Sequence, residues 1–548
     1  MTSLVRELLR LQEKEGWLSD ERLGELAERL GVPLHRLESL STFYTHFRRA
    51  PGRAVQVDVC RDLSCALAGG RAARARLVAT LADRDDVEVR EVSCLGRCDM
   101  APAAAVGHRA VSIADVDAAL ELISGGAESP QPRASSGWEG AEGWGDAEVY
   151  ASPAARYGTL RGALDGPRNT LSQALEESGL RGMGGAAFPT GRKWSLVAAE
   201  SATPRYVICN ADESEPGTFK DREILRDLPH LVVEGMALAA YCVGARHGVV
   251  FIRHEYEPER RAVEAAIEEA RAAGALGSRI FGSGFEFDVE VFVSPGGYIL
   301  GEETALLECL EDRRGEPRNK PPFPGKRGLF GCPTLINNVE TFAHATAILQ
   351  HGPSWWRGLG KPGHAGHKFI SVSGDVAEPG VRLVPFGTTL GELLALCGGM
   401  REGRALAAVA PGGASSNFLP PESLELALDF ETLAEAGSML GSGAVVFVGA
   451  DRDLLEVALD VTRFFRNESC GKCVPCRVGT EKAVAIVERE GGVSAATRSQ
   501  LATLHATLAG TSICGLGQVA LGPLLSIIES FPDRVGVEPT RAPRTRRG

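Results

Sequence analysis

Residues 206–222, YVICNADESEPGTFKDR, decide how this chain is read. The apolar run YVIC (206–209) reads as a strand, and Asn210, Asp212, Glu213 and Glu215 gather at its C-terminal end. That end is the usual ligand edge of an α/β sheet. A second apolar run, GVVFI (248–252), precedes a long Ala/Glu/Arg helix over 258–273, so strand and helix alternate as an α/β domain requires. Four polar residues in a row suit a solvated loop equally well. The flanking segments decide between the two.

Upstream stands GLRGMGGAAFPTGRKW (179–194). Backbone N–H groups of a glycine loop approach a phosphate closely, and Lys193 adds charge. Downstream, in the stretch 297–341, Glu302 and Glu303 follow the tight turn at Gly301. Lys320 and Phe323 sit on a rigid proline-rich turn, and Asn337 and Asn338 suit the edge of a planar heterocycle. No Ser/His/Asp or Cys/His arrangement marks a hydrolase. Hydride transfer needs none, because proximity and stacking carry it.

The chain holds 13 cysteines, an odd number in a long chain, which argues against a secreted disulfide scaffold. Cys470, Cys473 and Cys476 form C-x₂-C-x₂-C, and Cys514 follows after 37 residues. Three thiolates on one turn plus a distant fourth suit a [4Fe–4S] cubane. Cys60-x₄-Cys65 and Cys94-x₃-Cys98, 28 residues apart, offer two thiolates from each of two loops, as a [2Fe–2S] rhomb takes. Structural zinc is the alternative at both places. Cys209, Cys242, Cys309, Cys332 and Cys397 lack such spacing and are expected to be small buried hydrophobes.

A length of 548 residues implies about three to five domains. With 44% hydrophobic and 24% charged residues the chain is folded rather than disordered. A net charge of −12 argues against nucleic-acid binding and against recruitment to anionic lipid. The best membrane candidate, 231–245, is short and carries Glu234, so no membrane span is expected. The N-terminus lacks a signal-peptide pattern, and a cytoplasmic location is expected. Residues 4–50 read as three helices, with Asp20 capping the second and Gly31 ending it. Residues 55–59 and 87–92 read as strands ending at Cys60 and Cys94, followed by a hairpin and a helix over 115–123. Residues 124–149 read as a linker whose Trp138 and Trp144 suit docking on a surface. Residues 368–450 suit a small β-rich unit, 451–530 are helical, and the basic tail reads as disordered.

The ordered set GMGGAAFPTGRKW, CNADESEPGTFKDR, GEETAL, RNKPPFP, NNVET, ESCGKCVPCR and SICGLG resembles the electron-input module of respiratory complex I. It equally resembles the diaphorase subunits of NAD-linked formate dehydrogenases and soluble hydrogenases. Residues 1–124, with FYTHF, resemble the thioredoxin-like [2Fe–2S] subunit. Residues 150–535 resemble the FMN- and NADH-binding flavoprotein, here fused to it. The resemblance implies a multidomain α/β chain. Its parts are a helical bundle (1–50), a thioredoxin-like [2Fe–2S] domain (51–124), a linker (125–149) and a Rossmann-like FMN/NADH domain (150–355). A ubiquitin-like β-grasp domain (356–450), a helical [4Fe–4S] domain (451–535) and a tail (536–548) follow.

It also implies the site. Gly182, Gly184, Gly185, Lys193, Asn210, Asp212, Glu213, Gly301, Glu302, Asn337, Asn338 and Thr341 would hold FMN. Phe188, Glu215, Glu303, Lys320 and Phe323 would receive NADH, the Phe rings stacking on adenine. The family loop commonly reads G-R-G-G-A-G-F, whereas Met183 and Ala187 stand here in place of an Arg and a Gly. Loss of the cation is expected to weaken anion binding by about 1–2 kcal/mol, with Arg181 or Lys193 compensating. The implied activity is hydride transfer between NADH and FMN, then one-electron transfer through the clusters. Electrons would go to or come from a formate dehydrogenase, hydrogenase or complex I-like iron–sulfur subunit. The alternative is a noncatalytic iron–sulfur scaffold with an inactive flavin site. Glu303 or Glu215 is expected to repel a 2′-phosphate and favour NAD over NADP. Steady-state kinetics of Glu303→Ala test this, and unchanged NADPH use would count against it.

Overall fold

The computed structural model describes residues 3–125, 155–490 and 492–536. Apart from Gly125 and Gly536, the segments read as linker (125–149) and tail (536–548) lie outside the described residues. Helices Leu4–Glu15, Asp20–Leu30 and Leu34–Ser41 form the N-terminal bundle, packed through Leu4, Leu8, Leu23, Leu26 and Leu37. Ser19, not Asp20, caps the second helix: its hydroxyl accepts from Arg22 N at 3.2 Å, and Asp20 is the first helical residue. A bundle this small buries too little surface to stand alone, and it is anchored elsewhere. Asp312 Oδ1 accepts from Ser3 Oγ at 2.8 Å and Val5 N at 3.0 Å, and Tyr44 donates its hydroxyl to Arg313 O at 2.5 Å.

The first sheet has the order β2-β1-β3-β4, with β1 Val55–Cys60, β2 Val87–Val92, β3 Ala103–Val106 and β4 Arg109–Ser112. β1 and β2 run parallel, joined by a crossover that contains helix Gly70–Thr80. Parallel neighbours end at the same edge of a sheet. Cys60 closes β1 and Cys94 follows β2 by two residues, so the two cysteine loops emerge side by side.

The second sheet is wholly parallel, in the order β7-β6-β5-β8: β5 Tyr206–Ala211, β6 His247–Arg253, β7 Asp288–Ser294 and β8 Thr334–Asn338. The chain steps outward from β5 to β7, then returns to lay β8 on the free side of β5. That reversal opens a crevice at the C-terminal ends of β5 and β8, where open α/β sheets bind ligands. The register pairs Asn210 with Asn338, so the polar ends of both strands meet there. Helix Pro229–Val243 is buried almost throughout and packs on helix Val339–His351.

The third sheet has the order β10-β9-β12-β11, with β9 His367–Gly374, β10 Gly380–Pro385, β11 Leu406–Ala410 and β12 Ala444–Gly449. Its central pair is parallel and its edge pairs antiparallel, the mixed pattern of a β-grasp. Helices Leu454–Asn467, Val474–Glu490, Ala495–Thr511 and Gly522–Ser530 complete the chain. Among the described residues no helix is long and apolar enough to cross a membrane.

The first sheet is clamped to the second through buried arginines. Arg222 donates to Asp99 at 2.8 and 3.1 Å and to Gly96 O at 2.7 Å. Arg97 pairs with Glu259 at 3.2 Å, and Arg253 donates to Cys94 O at 2.5 Å. A side chain at Gly96 would collide with the Tyr256 ring, so the loop Cys94–Cys98 lies directly on the second sheet's helices. Removing one partner of a buried pair strands the other charge. Arg222→Met is therefore expected to cost about 3–5 kcal/mol, read as a lowered denaturation midpoint in urea.

Candidate functional site

The crevice is built from main-chain and amide groups. Asn210 Nδ2 donates to Gly301 O at 2.8 Å, which fastens the Gly301 turn to β5. A Cβ at Gly301 would come within 3.1 Å of Asp212 O, so the turn needs glycine to sit that close. Asn338 Oδ1 caps helix Val339–His351 by accepting from Glu340 N at 2.9 Å, while its Nδ2 donates to Asp221 Oδ2 at 2.5 Å. Thr341 Oγ1 accepts from Met183 N at 2.9 Å and pins the glycine loop to the same helix. Gly184 lies against Asn338: a Cβ there would stand 3.0 Å from the Asn338 Cβ.

Two buried acceptors at the C-terminal ends of β5 and β8, Asp212 Oδ2 and Asn337 Oδ1, have no hydrogen-bond partner among the described residues. Unpaired buried polar atoms are costly and call for a partner from outside the chain. A flavin mononucleotide brings N–H and hydroxyl donors and so fits the site. Burial pushes the Asp212 carboxyl up to about 6.

A second group faces the proline-rich turn. Glu302 Oε2 caps helix Glu303–Leu310 through Thr304 N and Ala305 N, both at 2.9 Å, and its Oε1 lies 3.0 Å from Lys320 Nζ. Glu303 stands between Lys193 at 3.5 Å and Lys320 at 3.3 Å. Burial would raise its pKa, but the two ammoniums outweigh burial and hold it below the ordinary carboxylate value. Lys193 and Lys320 thus bring the glycine-loop helix and the proline turn together. The Phe188 and Phe323 rings on these segments are 42% and 60% exposed. Glu215 accepts from Ser415 N at 2.6 Å, Ser415 Oγ at 2.9 Å and the Tyr298 hydroxyl at 2.5 Å, and burial pushes it up to about 7.

Two expectations need correction. Glu213, expected in the flavin site, directs its carboxylate to Asp221 N at 2.9 Å, Arg222 N at 3.1 Å and the Tyr256 hydroxyl at 3.0 Å; it caps helix Lys220–Asp227. Arg181, offered as a compensating cation, pairs with Glu431 and lies over the Phe430 ring. Met183 is buried in the apolar core at 1% exposure, leaving Lys193 as the loop's cation beside the crevice. Ala187 adopts φ 52°, the left-handed conformation that favours the glycine it replaces.

All four cysteines of the first set are buried. Cys94 Sγ and Cys98 Sγ lie 3.5 Å apart, and Gly96 N and Ala103 N donate to Cys94 Sγ and Cys65 Sγ at 3.4 and 3.3 Å. In the second set Cys476 and Cys514 are buried while Cys470 and Cys473 are half-buried. Ser469 Oγ lies 3.3 Å from Cys476 Sγ, and Ser512 Oγ is buried without a partner among the described residues. Among the described residues no three His, Cys, Asp or Glu side chains are arranged around a single ion. Of the remaining cysteines Cys209, Cys242, Cys309 and Cys397 are buried as expected, and Cys332 is only partly so.

Sequence reading missed Tyr298 and Ser415, which hold Glu215, and the buried charges Lys220, Glu340 and Lys368. The sequence offered a signal for Lys220 alone, in the run of charge KDRE (220–223) that follows the first strand of the second sheet.

A switch-point crevice walled by a glycine loop, with two thiol quartets packed around it, defines a flavin- and iron–sulfur-dependent oxidoreductase. Comparison with known proteins agrees. Residues 175–347 match the Nuo51 FMN-binding domain, 1–126 the thioredoxin-like [2Fe-2S] ferredoxin, 456–537 the NADH-ubiquinone oxidoreductase-F iron-sulfur binding region and 369–418 the SLBB domain. The F-type polypeptide of NADH-quinone oxidoreductase from Mycobacterium tuberculosis (strain ATCC 25618 / H37Rv) is 42% identical over 73% of this chain and 92% of its own. The NADP-reducing hydrogenase component HndC of Solidesulfovibrio fructosivorans is 42% identical over 65% of this chain and 73% of its own. Among solved structures, NAD⁺-reducing [NiFe]-hydrogenase in the H₂-reduced state matches with a TM-score of 0.84 and 31% identity, over 97% of this chain and 92% of that one. The chain belongs to the family of F-type NADH-quinone oxidoreductase polypeptides and hydrogenase diaphorase subunits. It is a flavin iron–sulfur NADH dehydrogenase whose cofactors are FMN, NAD(H), one [4Fe–4S] cluster and one [2Fe–2S] cluster.

Two outcomes follow from this geometry. Ala187→Gly relieves left-handed strain and is expected to raise stability by roughly 1 kcal/mol, read by denaturant titration. Ser469→Ala removes the hydrogen bond to the Cys476 sulfur and, with Cys476 the cluster ligand proposed below, is expected to make the [4Fe–4S] potential more negative, read by redox titration.

Proposed function

We propose that FMN is held in the β5–β8 crevice by Gly182, Gly184, Gly185, Asn210, Asp212, Gly301, Asn337, Asn338 and Thr341, with Lys193 and Glu302 at its rim. The observation that carries this is the pair of unpartnered buried acceptors, Asp212 Oδ2 and Asn337 Oδ1. NADH is received by Phe188, Glu215, Glu303, Lys320 and Phe323. When bound, FMN supplies the conversion between two-electron hydride chemistry and one-electron transfer. The chain's own residues bind and orient. The exposed Phe rings offer stacking faces for a planar base. Lys193 and Lys320, holding Glu303 between them, offer positive charge to a pyrophosphate. Glu303, already paired with two cations, is the carboxylate best placed to choose between a ribose hydroxyl and a 2′-phosphate.

Cys60, Cys65, Cys94 and Cys98 hold the [2Fe–2S] cluster, and Cys470, Cys473, Cys476 and Cys514 the [4Fe–4S] cluster. The half-buried Cys470 and Cys473 support the second cluster as the exit toward a partner. The partner we propose is an iron–sulfur subunit of a soluble hydrogenase-type assembly in the cytoplasm. The solved hydrogenase supports this, because it matches both the N-terminal and the flavin parts of the chain.

An anaerobic absorption spectrum before and after NADH tests the reading. Flavin and cluster bands that bleach with NADH are expected; cluster bands without flavin, unmoved by NADH, would overturn it. The pH dependence follows from Glu215. Burial sets its pKa at about 7, so it is neutral below and anionic above. A new negative charge beside an anionic dinucleotide repels it. KM for NADH is expected to rise as pH climbs through about 7, and Glu215→Gln is expected to flatten that rise.

A further inference from the structure

Behind the crevice runs a chain of buried charge that joins the second sheet to the third. Lys220 and Glu340 are 0% exposed and Lys368 is 1% exposed. Glu340 Oε2 lies 3.0 Å from Lys220 Nζ and touches Lys368 Nζ; its Oε1 accepts from Phe369 N at 2.9 Å and faces His344 Nε2 at 3.2 Å. Lys220 Nζ donates to Asp221 Oδ1 at 2.6 Å, and Asp221 Oδ2 takes the Asn338 amide at 2.5 Å. Asn338 backs Gly184.

At the other end Lys368, from β9, donates to Ser442 O at 3.0 Å. Ser442 N lies beneath Gly185, 3.7 Å from where a Cβ would stand. The network therefore reaches both central glycines of the loop, one from each sheet. Two ammoniums balance two carboxylates, and burial keeps His344 neutral. An apolar core of equal volume would be as stable. What the charges add is fixed direction, because each hydrogen bond admits one geometry.

We infer that Lys368 and Lys220 are positioning residues for the flavin, so that the third sheet, through Lys368 and Ser442, is part of the flavin site. The inference rests on the reading that Asn338 and the glycine loop hold FMN. Three holoprotein variants test it: Lys368→Met, Glu340→Gln/Lys368→Met and Asn338→Ala. The readouts are FMN dissociation by fluorescence, flavin potential by anaerobic spectroelectrochemistry, and the paramagnetic resonance of both clusters.

Lys368→Met is expected to weaken FMN about tenfold, the size of coupling within one buried network. It is also expected to shift the flavin potential while both cluster signals stay intact. The charge-balanced double variant still lacks the Lys368–Ser442 link and is expected to bind FMN as weakly as the single one. A folded Lys368→Met with unaltered FMN dissociation and potential would overturn the inference, as would a double variant that binds FMN as tightly as the unaltered protein, since the loss would then come from the stranded Glu340 charge alone. Should Lys368→Met fail to assemble its clusters, Lys368→Arg keeps the charge and alters the reach. Weakened FMN with intact clusters then supports the inference, and unchanged binding overturns it. Unchanged FMN binding in Asn338→Ala would instead remove the reading of the site. Weakened binding there, with Lys368→Met unaffected, would refute the inference alone.

Discussion

The burial of Arg222 is the constraint on which the arrangement turns. Its guanidinium leaves the second sheet's helix Lys220–Asp227 and is satisfied by Glu223 of the same helix and by Asp99 and Gly96 O of the first sheet's cysteine loop. A charge taken out of water needs its partners in place before the fold is favourable. The same contacts hold the cysteine loop against the second sheet. Arg253 repeats the device from β6, Arg97 reverses it by reaching from the cysteine loop to Glu259, and Glu213 secures the helix that carries Arg222. A carboxylate expected to meet the cofactor instead sets the spacing between two cofactor sites.

The same double use of groups governs the crevice. Asn210 fastens the Gly301 turn, Asn338 caps a helix, and Thr341 receives the loop's backbone. Each side chain offered to a ligand is first held by the protein, which lowers the entropy lost on binding. Lys193 and Lys320 are likewise held by Glu302 and Glu303.

Much of this was legible in the sequence for identifiable reasons. Strand YVIC, the glycine loop and both cysteine spacings are local patterns, and local geometry follows from them. What stayed hidden is long-range. Nothing near Glu213 in sequence announces that Tyr256 will take its oxygen, and nothing near Lys368 announces Glu340. Met183 and Ala187 read as departures on the phosphate-binding loop. Met183 turns inward to the core, and Ala187 bears its strain in the backbone rather than at the ligand. Ser19 displaces Asp20 as a cap by a single position, because a helix boundary is set by which side chain reaches the free N–H groups.

The two cysteine quartets differ in depth, and depth gives the chain a polarity. Cys60, Cys65, Cys94 and Cys98 are sealed beneath arginine clamps, while Cys470 and Cys473 reach toward the surface. Electron tunnelling fades steeply with the thickness of intervening matter, so a sealed centre stores charge and a shallow one trades it. On the proposed assignment, the deep quartet is the capacitor of the circuit and the shallow one its contact pad.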